Sequence, residues 1–437
     1  MANLIGARVE RKEDKKFLTG KGRYTADINL AHQTYAYFVR SPHARAKITK
    51  VDHSKAMKAP GVIDVFTGEC VAKDKIGGLI CGWKIVSQDG KDMKCPPHPV
   101  LAKDSVNFVG DHVAVVIAET LEQAKNAAEL VSVSYKIQKA VTKTKEATSF
   151  ENIHEGIDNN LSFDFLLGDK GKTDEAFSKA DKIVKLDIVN NRLIPNAMEP
   201  RAAIGDYNTS TDELTLYTAS QNPHLDRLIM SAFNAVHPEH KFRIVSPDVG
   251  GGFGSKINVY AEDVVVAYAS KKIGRPVKWV AERSESFISD NHGRDHVTHA
   301  ELAVNSDGKI TGIKVDTIAN LGAYSLVLAA VTPTYLYAPL LLGIYDIPTA
   351  CCTVKGVYTN TAPTDAYRGA GRPEATYVIE RIVTEAAKEI GMDQAEFRKK
   401  NFINKFPHQQ CLVHNIDSGD YNAHLDKAIE LADYKNF

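Results

Sequence analysis

Apolar positions in the first third of the chain follow a strand pattern, then a helical pattern, then a second strand pattern. The uninterrupted apolar run at residues 113–118 predicts a buried strand. Thr120 and Gln123 have the spacing of a capping box, which predicts a helix through Leu130. Alternating apolar residues over 131–135 predict the next strand. The passage is therefore predicted to be βαβ-like.

The rest of the chain mixes strand and helix patterns. Residues 214–217 predict a short strand, and the Asp-Gly pair within 304–310 predicts a hairpin. A helical pattern over 264–273 ends at a glycine, and a longer amphipathic pattern over 373–391 begins with proline and ends with glycine. These patterns together predict an α+β fold.

The same patterns suggest two domains joined by a linker. Residues 1–140 are predicted to form the first domain, because an α/β pattern runs from residue 19 to 137. Residues 141–160 are polar and lysine-rich, as a linker would be. Residues 161–437 form the second predicted domain, and a chain of 437 residues can bury more than one core.

Charge and hydropathy argue against several classes of partner. Basic and acidic residues number 54 each, so no net field favours nucleic acid or an anionic membrane. The most apolar segment, residues 326–342, contains two prolines, and we expect no membrane span. The first ten residues lack the apolar core of a signal peptide. A cytoplasmic protein is expected.

Cysteine and histidine spacing does not predict a metal centre. No C-x-x-C pair occurs, so zinc-ribbon and iron–sulfur spacings are both missing, and an electron-transfer cluster would have to lie on another chain. His292, His296 and His299 lie close in sequence without a further ligand pattern. Free thiols suit a reducing compartment. The six cysteines are Cys70, Cys81, Cys95, Cys351, Cys352 and Cys411.

The glycine loop, residues 247–256, is the densest glycine cluster of the chain. Four glycines occupy five positions around Phe253, which lets the backbone approach a bound group closely. The helical pattern that follows suggests an anion site at a helix N-terminus. A Walker motif fails because Lys256 is misplaced, and a dinucleotide motif fails because Ser255 replaces its last glycine. A tight turn without a ligand remains the alternative.

The arginine loop, residues 366–373, has a similar design. It places Arg368 and Arg372 among glycines just before a predicted helix. Arginine suits bidentate phosphate contacts, although such a loop can also be a solvated surface feature. Two loops of this kind in one chain favour a large anionic ligand that carries phosphate.

Gln221 follows the predicted strand at residues 214–217. Its side chain could present an N–H donor to a cleft. A turn made by Asn222 and Pro223 is the simpler interpretation of the local chemistry.

Taken in order, five segments resemble the large, molybdenum-cofactor subunit of the xanthine dehydrogenase and aldehyde oxidase family. They are residues 20–27, 109–116, 220–224, 250–256 and 366–373. The similarity extends from about Gly6 to the end of the chain. It implies an α/β hammerhead domain followed by the first half of the molybdopterin-binding domain.

The resemblance also implies roles for particular residues. Gln221 matches a glutamine that contacts an oxygen on molybdenum, and Arg368 matches an arginine that flanks cofactor and substrate; both are the implied catalytic residues. The implied cofactor is molybdenum–molybdopterin, in the cytosine dinucleotide form, and the implied reaction is hydroxylation with oxygen from water. The implied cofactor-binding residues are Gln221, Gly251, Gly252, Phe253, Gly254, Arg368 and Ala370.

Departures from the family pattern bear on the substrate. Carbon monoxide dehydrogenases carry a copper-binding cysteine where this chain has Gly369, which argues against copper-dependent oxidation of carbon monoxide. Purine hydroxylases have a phenylalanine at Ala370 and a glutamate at Ile257, which argues against xanthine. The resemblance therefore implies an aldehyde or an N-heteroaromatic substrate.

The resemblance further implies that the chain works with partners. Family members continue into a second half that carries the glutamate base, so we expect a second molybdopterin-binding subunit, as in nicotinate dehydrogenase-like enzymes, or a missing C-terminal half. A 2Fe-2S subunit and an FAD subunit are also implied. The alternatives are a non-catalytic cofactor-binding or assembly module and a truncated fragment.

Overall fold

This computed structural model describes residues 5–436, which contain both helices and strands. Its helices are α1 (Asp14–Leu18), α2 (Gly68–Lys73), α3 (Leu121–Ala128), α4 (Lys170–Lys179), α5 (Pro223–Ala232), α6 (Ala261–Ile273), α7 (Arg283–Ser289), α8 (Arg372–Glu389), α9 (Gln394–Asn401) and α10 (Tyr421–Leu431). Its strands are β1 (Thr34–Arg40), β2 (Ala46–Asp52), β3 (Val62–Thr67), β4 (Ser105–Val106), β5 (His112–Ala118), β6 (Ser132–Ile137), β7 (Leu161–Gly168), β8 (Lys182–Asn190), β9 (Ala202–Asn208), β10 (Glu213–Thr218), β11 (Phe242–Val245), β12 (Val277–Val280), β13 (His296–Val304), β14 (Ile310–Asn320), β15 (Ala350–Val357), β16 (His408–Gln409) and β17 (Asn415–Ile416).

A seven-stranded sheet in the order β11-β10-β9-β12-β1-β5-β3 combines early and late parts of the chain. The two parts meet where β1 pairs in parallel with β12, with Thr34 opposite Val277. Every residue of β5 is buried, as its uninterrupted apolar run predicts. The first 140 residues therefore share a sheet with later ones.

Helix α6 packs on this sheet, and nine of its thirteen residues are buried. A Cβ at Gly205 would lie 2.7 Å from the Val266 carbonyl oxygen, so a glycine in β9 lets helix and strand approach closely. The helix ends at Gly274, which adopts a left-handed conformation as predicted. The close packing fixes the helix beside the strand ends that carry Gln221 and the glycine loop.

A five-stranded sheet, in the order β7-β15-β14-β13-β8, forms the second core with α8. The predicted hairpin is confirmed as β13 and β14, which are antiparallel. Helix α8 contains the predicted amphipathic segment, has proline in its first turn and is followed by Gly391 at φ +70°. Its buried face carries Val378, Ile379, Ile382, Val383 and Ala386.

The α+β class and most predicted elements are confirmed, but the predicted βαβ-like unit is wrong as a sheet topology. Strand β5, helix α3 and strand β6 follow one another as expected, and the Thr120–Gln123 capping box is present. However, β6 pairs with β2 in a separate three-stranded sheet. Helix α3 ends at Ala128 rather than Leu130. Local periodicity predicted the elements, whereas sheet pairing depends on contacts from distant segments.

Two segments without regular secondary structure are nevertheless packed. The polar interval after residue 138 contains short 3₁₀ helices and buries Val141, Ala147 and Ile153. The apolar segment 326–342 is folded into turns whose residues are mostly buried. Across residues 5–436, none of the helices is both long enough and apolar enough to cross a bilayer.

Candidate active site

Three loops that are distant in sequence meet beside one edge of the seven-stranded sheet. Strands β10 and β11 are parallel neighbours, so the segment with Gln221 and the glycine loop leave the sheet at the same end. The backbone amide of Gln221 donates to the Lys256 carbonyl at 2.7 Å. The Arg368 amide donates to the Phe253 carbonyl at 2.8 Å, which joins the arginine loop to the glycine loop. The structure thus brings the predicted site residues together.

The Gln221 side chain is oriented by the glycine loop. Its Oε1 accepts a hydrogen bond of 2.9 Å from the Gly254 amide. Among residues 5–436, Nε2 has no protein partner and the side chain is exposed. A Cβ at Gly252 would lie 2.3 Å from Gln221 Oε1, so only glycine allows this approach. The arrangement leaves an amide donor facing outward at the exposed surface.

Phe253 and Arg368 form the exposed rim of this arrangement. Phe253 has φ +55° and is 42% exposed, an unusual state for a large apolar residue. The Arg368 guanidinium lies 5.7 Å from the centre of the phenyl ring, which is cation–π contact. Within residues 5–436, that guanidinium has no carboxylate partner. It therefore remains available to an anion.

The other predicted site residues shape the backbone. Gly251, with φ +94°, and Gly254, with φ +105°, occupy conformations that favour glycine. A Cβ at Gly254 would lie 2.2 Å from the Ala366 carbonyl oxygen, so the two loops touch through their main chains. Ala370 has φ +42° and donates its amide to the Tyr367 carbonyl at 2.7 Å. These contacts place both loops within one short stretch of surface.

Lys256 serves the loop rather than a ligand. Its buried Nζ lies 2.8 Å from the Glu199 carboxylate and 2.9 Å from the Glu199 carbonyl. The same carboxylate accepts from the Gly250 amide at 2.7 Å. Burial lowers the pKa of Lys256, and the Glu199 carboxylate opposes that shift. The pair fixes the start of the loop, and periodicity had offered no signal for Glu199.

The expected anion site at the N-terminus of α6 is not present. The helix begins at Ala261, several residues after the last glycine, and that first turn is buried. The Asp263 side chain accepts from the Tyr260 amide at 3.1 Å. Because a carboxylate of the chain already occupies this position, an incoming anion would be repelled there.

The arginine loop is held by a buried ion pair that the sequence did not indicate. Arg294 lies 2.9 Å from Glu374 in the first turn of α8, with side chains 8% and 1% exposed. The guanidinium also donates to the carbonyls of Tyr367 at 3.0 Å and Arg368 at 2.7 Å. Arg294 thus fixes the main chain on which Arg368 is mounted.

A buried carboxyl group lies behind Gln221. Asp226, in α5, accepts a hydrogen bond from the Ser220 hydroxyl, which also accepts from the Asn222 amide at 2.9 Å. Burial raises the pKa of Asp226 to about 8. These contacts order the segment that carries Gln221, and in place of the predicted Asn-Pro turn Asn222 is the N-cap of α5 and Pro223 is its first residue.

No group of three metal-ligating side chains occurs within residues 5–436. His292 and His296 do not share a helix, because His296 begins strand β13. His296 is buried beside Tyr337, whereas His299 lies 3.0 Å from Asp187. What the loops offer is an amide donor, a free guanidinium and glycine-rich backbone, which suit a large anionic group.

Two family models match the chain. The molybdopterin cofactor-binding domain matches residues 153–402, and the aldehyde oxidase and xanthine dehydrogenase a/b hammerhead domain matches residues 19–139. These matches confirm the resemblance suggested by the five sequence motifs.

Similar proteins of known function are longer than this chain in most cases. The carbon monoxide dehydrogenase large chain of Hydrogenophaga pseudoflava is 36% identical, covering 97% of this chain and 53% of that protein. The quinoline 2-oxidoreductase structure from Pseudomonas putida 86 has a TM-score of 0.92 at 30% identity, covering 99% of this chain and 55% of that one. The chain spans about half the length of these relatives.

A relative of comparable length also exists. The nicotinate dehydrogenase large molybdopterin subunit of Eubacterium barkeri is 28% identical, covering 91% of this chain and 89% of that protein. The family of the protein follows from these matches, from the order of the hammerhead and cofactor-binding domains, and from the three loops that meet at the site. The chain belongs to the molybdopterin cofactor-binding domain family, in the aldehyde oxidase and xanthine dehydrogenase group.

Proposed function

We propose that this chain is the molybdenum-cofactor subunit of a hydroxylase, and that the cofactor carries a cytosine dinucleotide. The observation that carries the proposal is Gln221, whose Oε1 is held by the Gly254 amide while Nε2 faces outward with no partner among residues 5–436. An oriented donor with no protein partner suits a fixed polar atom of a bound group. The exposed Arg368 guanidinium has no carboxylate partner in the described part of the chain and suits a phosphate.

The backbone around these side chains fits such a group. Glycines at 252 and 254 let the loop lie directly against the Gln221 side chain and the Ala366 main chain, where a Cβ would clash, and so hold Gln221 and the arginine loop together at the proposed contact surface. When bound, the molybdenum cofactor would supply the redox centre for hydroxylation with oxygen from water. The contacting residues in this proposal are Gln221, Gly251, Gly252, Phe253, Gly254, Arg368 and Ala370.

Three side chains at the site have separate tasks in this proposal. Gln221 donates through Nε2 and so stabilises negative charge on the group it faces. Arg368 balances phosphate charge, and Phe253 keeps the guanidinium in place while excluding water from one side. Gln221 and Arg368 are the catalytic residues that we propose.

The substrate class follows from what the arginine loop lacks. Gly369 offers no thiol for copper, unlike the pattern of carbon monoxide dehydrogenases. Ala370 and Ile257 lack the aromatic and acidic groups found in purine hydroxylases. We therefore propose an aldehyde or an N-heteroaromatic substrate, and the quinoline enzyme among the similar structures supports the second class.

Partners complete the proposed enzyme. We propose that a second molybdopterin-binding polypeptide, or a continuation of this chain, supplies the glutamate base, and that 2Fe-2S and FAD subunits carry electrons away. The six cysteines are all free, which supports a cytoplasmic location.

Elemental analysis tests the proposal directly. The complex is purified from its host through a tag on this chain, and molybdenum, pterin and acid-released cytidine monophosphate are quantified. We expect molybdenum and pterin in about equal amounts in the wild-type complex. In Arg368→Ala we expect the molybdenum content to fall about tenfold. Arg381→Ala is the matched control, because Arg381 is an exposed arginine on α8 that contacts Tyr377. A complex with hydroxylase activity but no molybdenum would contradict the proposal. A complex with neither hydroxylase activity nor molybdenum would favour an assembly module.

A further inference from the structure

Two buried polar side chains, Tyr260 and Asn291, lie between the glycine loop and the arginine loop. The single hydroxyl proton of Tyr260 is shared between two acceptors, the Ser255 carbonyl oxygen at 2.7 Å and Asn291 Oδ1. The Asn291 Nδ2 donates to the Ala366 carbonyl at 3.3 Å. One end of this pair therefore contacts the glycine loop, and the other end contacts the arginine loop.

The pair is placed where it can act as a rigid spacer. Tyr260 is 4% exposed and Asn291 is fully buried. The Asn291 amide donates to the Tyr260 hydroxyl at 3.2 Å, so backbone and side chain of Asn291 both contact the same oxygen. Burial raises the pKa of Tyr260 well above its usual range, so the hydroxyl keeps its proton and remains a donor.

The ring of Tyr260 is itself held by a cation–π contact with Arg201. The Arg201 guanidinium lies 3.7 Å from the ring centre. Arg201 is in turn held by Glu262 at 2.9 Å and by Asp290 at 2.7 Å, both of them buried. Because Glu262 follows Tyr260 closely and Asp290 precedes Asn291, the same ion network anchors both members of the pair.

We propose that Tyr260 and Asn291 are positioning residues that set the distance between the two loops, and thereby the placement of Gln221 and Phe253 relative to Arg368. The proposal rests on the proposed function only in taking the group that Gln221, Phe253 and Arg368 contact to be the molybdenum cofactor. The spacing itself depends only on contacts within this chain. Tyr260 and Asn291 do not reach the exposed rim, so their effect passes through the carbonyls of Ser255 and Ala366.

Tyr260→Phe tests this role, because it keeps the ring on Arg201 and removes only the hydroxyl. Tyr268→Phe is the matched control: Tyr268 is also a buried tyrosine of the α6 region, and its hydroxyl donates to Asp74 at 2.6 Å, away from both loops. Asn291→Ala is the second variant, since it removes the contact to Ala366 from the other end.

The first measurement is amide hydrogen exchange in the purified complex, which needs no assumption about the cofactor. In Tyr260→Phe we expect exchange in peptides covering residues 250–256 and 366–371 to rise about tenfold, with exchange over 296–320 unchanged. Asn291→Ala should give the same pattern. Tyr268→Phe should leave both loops as in the wild type. Equal loop exchange in Tyr260→Phe and Tyr268→Phe would overturn the proposal.

The second measurement concerns the bound group. We expect Tyr260→Phe to keep its molybdenum content, to alter the electron paramagnetic resonance spectrum of the reduced metal, and to lower kcat about tenfold with little change in KM. An unaltered spectrum with wild-type kcat would overturn the positioning role. A wild-type complex without molybdenum would contradict the proposed function instead, while the exchange measurement would still decide whether the pair sets the loop spacing.

Discussion

The side-chain oxygen of Gln221 accepts a hydrogen bond of 2.9 Å from the amide of Gly254, although 33 residues separate them along the chain. The bond is possible because β10 and β11 run in parallel and release both segments at one edge of the sheet. It also determines which end of the glutamine amide faces outward. An acceptor is used within the chain, and a donor remains for a ligand.

Gly252→Ala should disturb this relationship. The new Cβ would lie 2.3 Å from Gln221 Oε1 and would push the amide away from Gly254. We expect molybdenum content of the purified complex to fall about tenfold, as when a residue that orients a metal's surroundings is lost. Gly171→Ala is the control, because its Cβ would meet its nearest neighbour at an ordinary 3.6 Å. Equal metal content in the two variants would count against the role of Gln221.

Phe253 allows a test of backbone conformation. Its φ of +55° is strained for any residue with a Cβ. We therefore expect the free energy of unfolding of Phe253→Gly to be about 1 kcal/mol larger than that of Phe253→Ala. Both variants lose the ring that contacts Arg368, so the comparison isolates the main chain. Chemical denaturation of the two complexes measures it. Phe253→Ala equal to or more stable than Phe253→Gly would mean that the left-handed conformation carries no cost.

Glu374→Gln should destabilise the native state by about 3–5 kcal/mol, because it leaves the buried Arg294 charge without a counter-charge. The control is Glu430→Gln. Glu430 forms an ion pair with Lys427 at the surface, where the Glu430 side chain is 69% exposed and the Lys427 side chain is 59% exposed. That substitution should cost less than about 1 kcal/mol. Urea denaturation compares the two, and similar losses would show that the Arg294–Glu374 pair is unimportant.

Asp226 should make stability depend on pH. Burial raises its pKa from 3.8 to about 8, so the native state binds the proton more tightly than the unfolded chain. The contribution of this group to stability therefore falls as the pH rises from about 4 to about 8, and is constant above that range. Asp226→Asn removes the titration while keeping an acceptor for Ser220.

We expect the urea midpoint of wild type to decline between pH 5 and pH 8 more steeply than that of Asp226→Asn. Asp417→Asn, at an exposed position, should follow the wild type. Parallel curves for wild type and Asp226→Asn would show that Asp226 does not titrate in this range.

Much of the local structure could be predicted from the sequence. The apolar run of β5, the capping box before α3 and the glycine after α6 depend on nearest neighbours, and each was found where expected. The partner of a strand does not depend on its neighbours in sequence. That is why β6 lies beside β2 and not in the sheet of β5.

The candidate site divides in the same way. Sequence by itself determined which loops carry glycine and arginine, because a motif is a property of consecutive residues. Only the tertiary structure decided that no carboxylate within residues 5–436 pairs with Arg368, whereas Lys256 is neutralised by Glu199, 57 residues away. The two cations look alike as sequence, and burial beside a carboxylate distinguishes them. The roles of Tyr260 and Asn291 likewise arise from folding, since their hydrogen bonds join segments that chain connectivity keeps apart.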